Sequence, residues 1–363
     1  MSMPQPKPWL LDIAPYVGGE AEIKGVDRVI KLASNEGAFG PSPKALDAIR
    51  KTADQAYRYP DGDSTKLRRK IAEKYNLDVD RIIAGAGSDD LIQLLCRCYA
   101  GPGDEVLFTA HAFAMYPIYA STTGTALVAA PEFNITADVD ALVERANDKT
   151  KLLFLANPNN PTGTYLPADE IRRLREKLPE HVLLVLDGAY AEYVNRNDYD
   201  VGADMVTPDG NVVMLRTFSK IYGLGGLRAG WGYFSEKTAD VINRVRSPFN
   251  ISNIAQAAAT AALDDDEFVE KSRRHNEEWR RWTSEKLQAL GITVPESICN
   301  FVLARFPEEP GKNAEAADAF LKSRGIIVRR MGGYGLPDSL RISIGLEDEM
   351  RLVVDTLTEF MEA

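Results

Sequence analysis

From Arg81 onward the chain alternates short, unbroken apolar runs with amphipathic stretches of helical period. Ile82-Ile83-Ala84, Val106-Leu107-Phe108, Leu152-Leu153-Phe154-Leu155, Val182-Leu183-Leu184-Val185-Leu186 and Val212-Val213-Met214-Leu215 read as strands. Runs with no alternating polar position predict strands covered on both faces, hence a parallel sheet between layers of helix. Asp89–Tyr99 predicts a helix with Leu91, Ile92, Leu94, Leu95 and Cys98 on its apolar face. Earlier in the chain, residues 1 to about 30 are proline-rich and irregular, an arm, and Leu32–Pro43 is a run of turn formers. Pro43 opens a helix expected near Lys44–Thr52, and a second is expected near Thr65–Tyr75. After about Ser247 the pattern turns helical, with Asn253–Leu263 and a long helix through Asp266–Leu290 that carries Trp279 and Trp282. A smaller α/β unit closes the chain, with strands at Phe301–Arg305, Ile326–Val328 and Leu340–Ile344 and a helix at Glu347–Met361.

A chain of 363 residues exceeds one small core. The pattern divides it into an arm over 1–40 that joins the small domain, a large domain over 41–250, and an interdomain helix with a small C-terminal domain over 251–363. Apolar residues make up 45% and charged residues 26%, the balance of a soluble globular protein. No apolar run reaches the roughly 18 residues of a membrane span, and the N-terminus lacks the apolar stretch of a signal peptide. The net charge of −10 argues against nucleic acid or an anionic membrane as partner. Cys96, Cys98 and Cys299 form no even framework and no Cys-x-x-Cys pair, which suits a reducing cytoplasm. His111, His181 and His275 are scattered, so neither a metal cluster nor a Ser-His-Asp triad is expected.

Candidate chemistry gathers where the apolar runs end. Val212–Leu215 leads into Thr217-Phe218-Ser219-Lys220 and then Ile221-Tyr222-Gly223-Leu224-Gly225-Gly226-Leu227-Arg228. A lysine there is expensive to desolvate unless it has partners or covalent work, which points to a Schiff base with the aldehyde of pyridoxal 5'-phosphate (PLP). Thr217, Ser219 and Arg228 would then hold the cofactor's phosphate. A lysine pointing to solvent beside a glycine-rich turn fits these residues equally well. Gly85-Ala86-Gly87-Ser88-Asp89 joins a strand to a helix N-terminus, where free N–H groups favour a phosphate, although many strand–helix turns carry glycines. The run 152–155 ends in Ala156-Asn157-Pro158-Asn159-Asn160-Pro161-Thr162-Gly163, which on its own reads as a proline-locked loop. Val182–Leu186 ends in Asp187-Gly188-Ala189-Tyr190, and a carboxylate closing a buried strand needs a partner such as a pyridinium N–H. Ligands of open α/β sheets sit outside these carboxyl ends.

Asn160 before Pro161-Thr162-Gly163, Asp187-x-x-Tyr190, Ser219-Lys220 and Arg228 together resemble the aspartate-aminotransferase superfamily of PLP enzymes over nearly the whole chain. The resemblance implies the α/β fold of type I, a mostly parallel seven-stranded sheet between helices in the large domain beside a smaller C-terminal α/β domain. It also implies residue roles. Lys220 is the Schiff-base lysine, Asp187 binds the pyridine nitrogen, Tyr190 and Asn160 the ring 3'-oxygen, and Thr217, Ser219 and Arg228 the phosphate with the turn Gly87, Ser88 and Asp89. Phe113 stands where an aromatic stacks on the ring, and equally reads as a core phenylalanine. Within the superfamily the chain is most similar to the histidinol-phosphate aminotransferase family. Leu32–Pro43 resembles that family's segment ending in Gly-Pro-Ser-Pro, with Asn35 at the substrate. Arg58-Tyr59-Pro60 resembles its Arg-Tyr-Pro turn, whose tyrosine reaches the cofactor phosphate of the neighbouring subunit. Tyr16 resembles a tyrosine that contacts substrate across the dimer, and Arg329 and Arg341 resemble two arginines that bind the substrate's anion. Gly37-Ala38-Phe39 and His111-Ala112 depart from the common Asn-Pro-Tyr and Pro-Thr, both near the pocket mouth.

The implied reaction is a ping-pong transfer of an amino group between L-histidinol phosphate and 2-oxoglutarate, with glutamate as the other partner, in histidine biosynthesis. Lys220 would remove the Cα proton and return it to C4' of the cofactor. The implied assembly is a homodimer with shared active sites. An aromatic or broad-range aminotransferase differs only in the outer pocket, and a PLP-dependent phosphothreonine decarboxylase shares the motifs. A regulatory, DNA-binding relative would need a basic helix-turn-helix ahead of residue 32, where none is read.

Overall fold

The computed structural model describes residues 3–16, 18–20, 22–23 and 28–363. Seven strands form the large sheet: β1 (Ile82–Gly85), β2 (Glu105–Thr109), β3 (Ala126–Ala130), β4 (Thr150–Ala156), β5 (Leu183–Asp187), β6 (Val212–Thr217) and β7 (Gly230–Tyr233). Their spatial order is β1-β7-β6-β5-β4-β2-β3, and β7 alone runs antiparallel to its neighbours. The unbroken apolar runs have the expected consequence. Leu184, Leu186, Val212 and Met214 pack into one core, and Leu183, Val185, Val213 and Leu215 into another on the opposite face. Alternate side chains of one strand thus fill two separate layers, so no position is left to face water.

Two strands of this sheet are not among those the sequence predicts. β3 lies at the edge and Leu127 is exposed there. β7 is Gly-Trp-Gly-Tyr, and its glycines are steric necessities. A Cβ on Gly230 would stand 2.4 Å from the backbone nitrogen of Ser88. The strand can therefore press directly against the turn between β1 and the helix Ser88–Tyr99. Helices at Met115–Thr122, Ala168–Lys177 and Glu236–Val245, unread in the sequence, complete the covering layers.

The expected boundaries hold elsewhere with small shifts. Ser42 caps the helix Pro43–Thr52 by accepting from the Ala45 N–H, with proline in its first turn. Asn253–Ala262, rich in alanine, packs on that helix against the large core, close approach being possible because its contact face is small. The long helix Asp266–Ala289 then runs to the second core, where Trp279 and Leu287 join Val302, Leu340, Ile342 and Val353. That core is built on an antiparallel sheet of β8 (Phe301–Arg305), β9 (Arg329–Arg330) and β10 (Ser339–Ser343), in the order β8-β10-β9. One expectation is corrected here. The single strand read over Ile326–Val328 is divided, because Ile326–Ile327 pairs in parallel with Ile30–Lys31 and the chain then turns to align Arg329 with Arg341. The segment after the arm is thereby sewn to the small sheet, 296 positions away in sequence for Ile30 and Ile326.

Candidate active site

β4, β5 and β6 end side by side, Ala156 level with Asp187 and Asp187 level with Leu215. A cavity of about 550 Å³ opens at these ends, and Asp187, Tyr190, Asn160, Thr217, Ser219 and Lys220 all line it. Asp187 is the last residue of its strand, so its backbone is fixed and its carboxyl enters the cavity floor. Its Oδ2 accepts a hydrogen bond from the Tyr116 hydroxyl at 2.8 Å and its Oδ1 one from the Ala189 N–H at 3.1 Å. Burial pushes this carboxyl up to about 6, opposed by the Tyr116 bond. Lys220 follows the end of β6. Its Nζ donates to the carbonyl oxygen of Ser34 at 3.3 Å and lies 5.7 Å from the centre of the Tyr190 ring. Burial and the nearby Arg341 charge push this amine down to about 8. A neutral, nucleophilic amine is thus within reach near neutral pH.

At one end of the cavity the hydroxyls of Thr217 and Ser219 stand 3.0 Å apart, and Arg228 Nη1 donates to Ser219 Oγ at 3.3 Å. Arg228 adopts φ 54, a left-handed conformation that is strained for a side chain of this size. The strain aims its guanidinium back over Gly87, where a Cβ would stand 2.6 Å from Nη2. Ser88 and Asp89 begin the helix of this corner. Arg228 Nη2 also donates to the Asp89 carboxylate at 3.1 Å, so at Asp89 the backbone N–H, and not the side chain, is suited to an anion.

A second cavity, also about 550 Å³, shares Phe113, Asn160 and Lys220 with the first and adds Tyr16, Asn35, Arg329 and Arg341. Arg341 is buried in the middle of β10. Its Nη2 donates to the carbonyl of Ala33 at 2.8 Å and its Nη1 to Oδ1 of Asn160. Its Nε is buried without a partner, and the groups that weigh most on it are Tyr190, Tyr334, Arg329 and Tyr16, with no carboxylate among them. Burial accordingly pushes the guanidinium below its ordinary value. The Asn35 amide donates to Tyr190 Oη at 2.8 Å and accepts from Ser343 Oγ at 3.2 Å. Its side chain thereby orients the tyrosine, and Asn35 also lines this cavity, where substrate contact is expected of it. Tyr16 lines the cavity of its own chain beside Arg329, where the expectation was a contact across a dimer. The arm reaches there because Trp9 lies flat on Gly124 and donates its indole N–H to the Thr122 carbonyl at 3.1 Å, which pins the arm to its own large sheet.

Phe113 lines both cavities with its ring edge-to-face on Tyr116. Tyr59 lines neither. It is 84% exposed and stacks on Phe249, ring centres 4.8 Å apart. Two site residues were not singled out in the sequence. Tyr116 lies one helical turn after Phe113, a spacing that puts both on one face, and Tyr334 follows Arg329 in a glycine-rich turn. Either could have been found by following those neighbours.

A strand-end lysine and aspartate over a parallel sheet, with a two-hydroxyl and arginine corner beside them, define the architecture of an amino-group transferase. The chain belongs to the class I and II aminotransferases, whose family model matches residues 27–357. It is 56% identical to the histidinol-phosphate aminotransferase of Paramagnetospirillum magneticum over 363 residues, covering 100% of both chains. It is 57% identical to the enzyme of the same name from Rhodospirillum rubrum over 359 residues, 99% of this chain and 97% of that one. Among solved structures, the histidinol-phosphate aminotransferase of Sinorhizobium meliloti in complex with pyridoxal-5'-phosphate superposes with a TM-score of 0.91. It shares 30% identity and covers 99% of this chain and 98% of its own. The expected fold class is met by this likeness and by the seven-stranded, mostly parallel sheet.

Proposed function

We propose that the chain is a histidinol-phosphate aminotransferase that uses PLP to move an amino group between L-histidinol phosphate and 2-oxoglutarate in histidine biosynthesis. The observation that carries this reading is Arg341. A buried guanidinium with an unpaired Nε and no carboxylate partner is stable only if an anion joins it. A phosphate edge and a carboxylate both fit its two parallel donors, so one pocket serves both substrates. Arg329 at the wall of the same cavity adds positive charge. Relatives of that name at 56% and 57% identity support the same substrate pair.

The residues present also suit the cofactor. The hydroxyls of Thr217 and Ser219 form a cradle for its phosphate with Arg228, whose guanidinium lies over Gly87, and the N–H groups of Ser88 and Asp89. When bound, PLP supplies an aldehyde that carries the amino group and a ring that accepts electrons. Lys220 Nζ would anchor the cofactor and, as a free amine, would serve as the base that takes the proton from the substrate's Cα and the acid that gives it back. The Asp187 carboxylate holds the proton on the ring nitrogen. Tyr190 and Asn160 would bond the 3'-oxygen, and Phe113 would cover the ring. Asn35 orients Tyr190. Tyr16, Arg329 and Arg341 enclose the substrate.

We further infer a homodimer in which Tyr59 serves the neighbouring site, since its ring is exposed on the surface and absent from its own cavity. The division into a large unit from residue 41 and a small unit that includes the segment before it rests on the two cores. The helix Asn253–Ala262 goes with the large one. No helix of the described residues is long and apolar enough to cross a membrane, and a cytoplasmic location suits a biosynthetic enzyme. The deciding experiment supplies PLP-loaded protein with 2-oxoglutarate and either histidinol phosphate or phenylalanine, and measures glutamate. Glutamate formed far faster with histidinol phosphate is expected. A preference for phenylalanine would make the chain an aromatic aminotransferase, and carbon dioxide released from phosphothreonine would make it a decarboxylase.

A further inference from the structure

We propose that Tyr116 is a positioning residue for the reaction, its hydroxyl fixing the plane of the Asp187 carboxylate and keeping it ionised to meet the pyridine nitrogen. This inference rests on the placement of Asp187 beneath the cofactor. The geometry comes from packing. The helix Met115–Thr122 points the Tyr116 ring at the sheet, where it stacks on Phe154 at 4.9 Å with 14° between the planes. Phe113 closes the other side edge-to-face at 5.6 Å. The ring is fully buried and cannot swing, so its hydroxyl has one destination, Asp187 Oδ2 at 2.8 Å. The Ala189 N–H holds Oδ1. A carboxyl group on a fixed strand residue keeps one free rotation, broad and two-fold. Bonds on both oxygens remove it.

Packing alone does not call for this hydroxyl. Phe154 fills the adjoining place in the same stack without one, and burying a phenol costs free energy unless the hydroxyl is bonded. The bond has an electrostatic consequence. Burial works to protonate Asp187, and Asp89 at the start of its helix works in the same direction. The Tyr116 hydroxyl, the Ala189 N–H and the Lys220 charge work against them. Of these, the Lys220 charge is lost when its amine is neutral, whereas the phenol proton is permanent. Burial and the Asp187 charge hold Tyr116 well above its ordinary value, so it donates at every working pH. A protonated Asp187 could not keep the ring nitrogen charged, so the phenol sustains the acceptor that the reaction needs.

The test reads Asp187 directly in the cofactor-free protein, and so does not depend on which substrate the enzyme takes. Carbon-13 NMR of protein labelled at aspartate carboxyls, with the Asp187 signal assigned by its loss in Asp187→Asn, gives the titration midpoint, expected at about 6 in the wild type. Tyr116→Phe keeps the ring stack and should move that midpoint up by roughly one pH unit, the scale of one hydrogen bond to a charged group. Replacing Tyr116 by a fluorinated tyrosine, a stronger donor in the same shape, should move it down. Unmoved midpoints in the two proteins would overturn the proposal and leave Tyr116 as core packing. Should Tyr116→Phe fail to fold, the fluorinated protein decides alone. A wild-type protein that failed to transaminate while its variants showed these shifts would instead count against the proposed function.

Discussion

Asn35 Nδ2 donates to Tyr190 Oη at 2.8 Å, joining residues 155 positions apart. Asn35 can do so because it takes the left-handed conformation, φ 55, which asparagine tolerates better than most residues. Its backbone N–H donates to Ser343 Oγ at 2.9 Å, so the β10 strand that carries Arg341 also sets the orientation of Tyr190. The cofactor side and the anion side of the site therefore answer to one strand. Asn35→Ala should leave the buried Tyr190 hydroxyl without its donor and the Ser343 O–H without its acceptor, at a cost of about 1–3 kcal/mol in stability. The variant should also lose PLP more readily. Thermal unfolding and equilibrium dialysis of the cofactor check the two effects, and Asn35→Ala with unchanged PLP affinity would remove Asn35 from the site.

Lys220 is expected to carry the cofactor. Borohydride reduction of PLP-loaded protein should leave the pyridoxyl label on Lys220 alone, and label on another lysine would end the assignment. Lys220→Ala should still bind PLP yet lose turnover, since no other amine lies at that position to move the proton. The lowered affinity of this amine for a proton has a consequence for stability. The folded group titrates at about 8 against 10.5 for a free lysine, so the unfolded chain binds more protons between those values. Lys220 therefore destabilises the cofactor-free protein below pH 8, and the penalty fades as pH rises towards 10.5. Lys220→Met should be more stable than the wild type at pH 7, with the difference shrinking up to pH 10.5 in denaturant titrations. A difference that stayed constant with pH would contradict it.

What could be read from the sequence follows a physical line. Asp187 and Lys220 stood out because polar groups at the ends of apolar strands are costly without a function, whereas Asn160, in a loop that alone reads as proline-locked, gained its role only from the resemblance. β7 was hidden because Gly230 and Gly232 make room for neighbours and leave no apolar run. β3 was hidden because its run Ala-Leu-Val-Ala-Ala is rich in alanine, which suits a helix better than a strand, and as an edge strand it leaves Leu127 exposed. The pairing of Ile30–Lys31 with Ile326–Ile327 depends on partners far apart in the chain, and two residues carry no period. Tyr116 escaped for another reason: a buried tyrosine in a helix looks the same whether its hydroxyl meets a core carbonyl or a catalytic carboxylate.

The Tyr59 and Phe249 rings stack at the surface, and exposed aromatic pairs of this kind mark contact surfaces. A shared site makes a complementation test possible. In a heterodimer of a Tyr59→Phe subunit with a Lys220→Ala subunit, one site draws Lys220 from the first and Tyr59 from the second, free of both changes. Random pairing at equal amounts should restore activity above the sum of the two parent homodimers, towards about a quarter of the wild type. A mixture that only averages its parents would show that Tyr59 serves no partner site.

Arg341 tests the substrate assignment. It lies opposite Leu303 on one side and Arg329 on the other in the small sheet, so its stem leaves the strand in a fixed direction. Two of its nitrogens are committed, one to Ala33 and one to Asn160, which holds the guanidinium at the cavity wall. Arg341→Ala removes the clamp and should cost roughly 2–5 kcal/mol in binding of a buried anion. It also leaves Asn160 and the Ala33 carbonyl without their donor, so a melting curve must accompany the kinetics. Arg341→Lys keeps the charge and loses the fork, and should be impaired as well, separating geometry from charge. If one pocket takes both anions, the half-reactions with histidinol phosphate and with glutamate, each followed by the cofactor's absorbance, should slow together in Arg341→Ala. Arg329→Ala, at the wall of the cavity, is expected to affect the two unequally, because a phosphate and a carboxylate differ in size and charge. An Arg341→Ala enzyme that still processed histidinol phosphate at the normal rate would place that phosphate elsewhere and move the reading towards an aromatic aminotransferase.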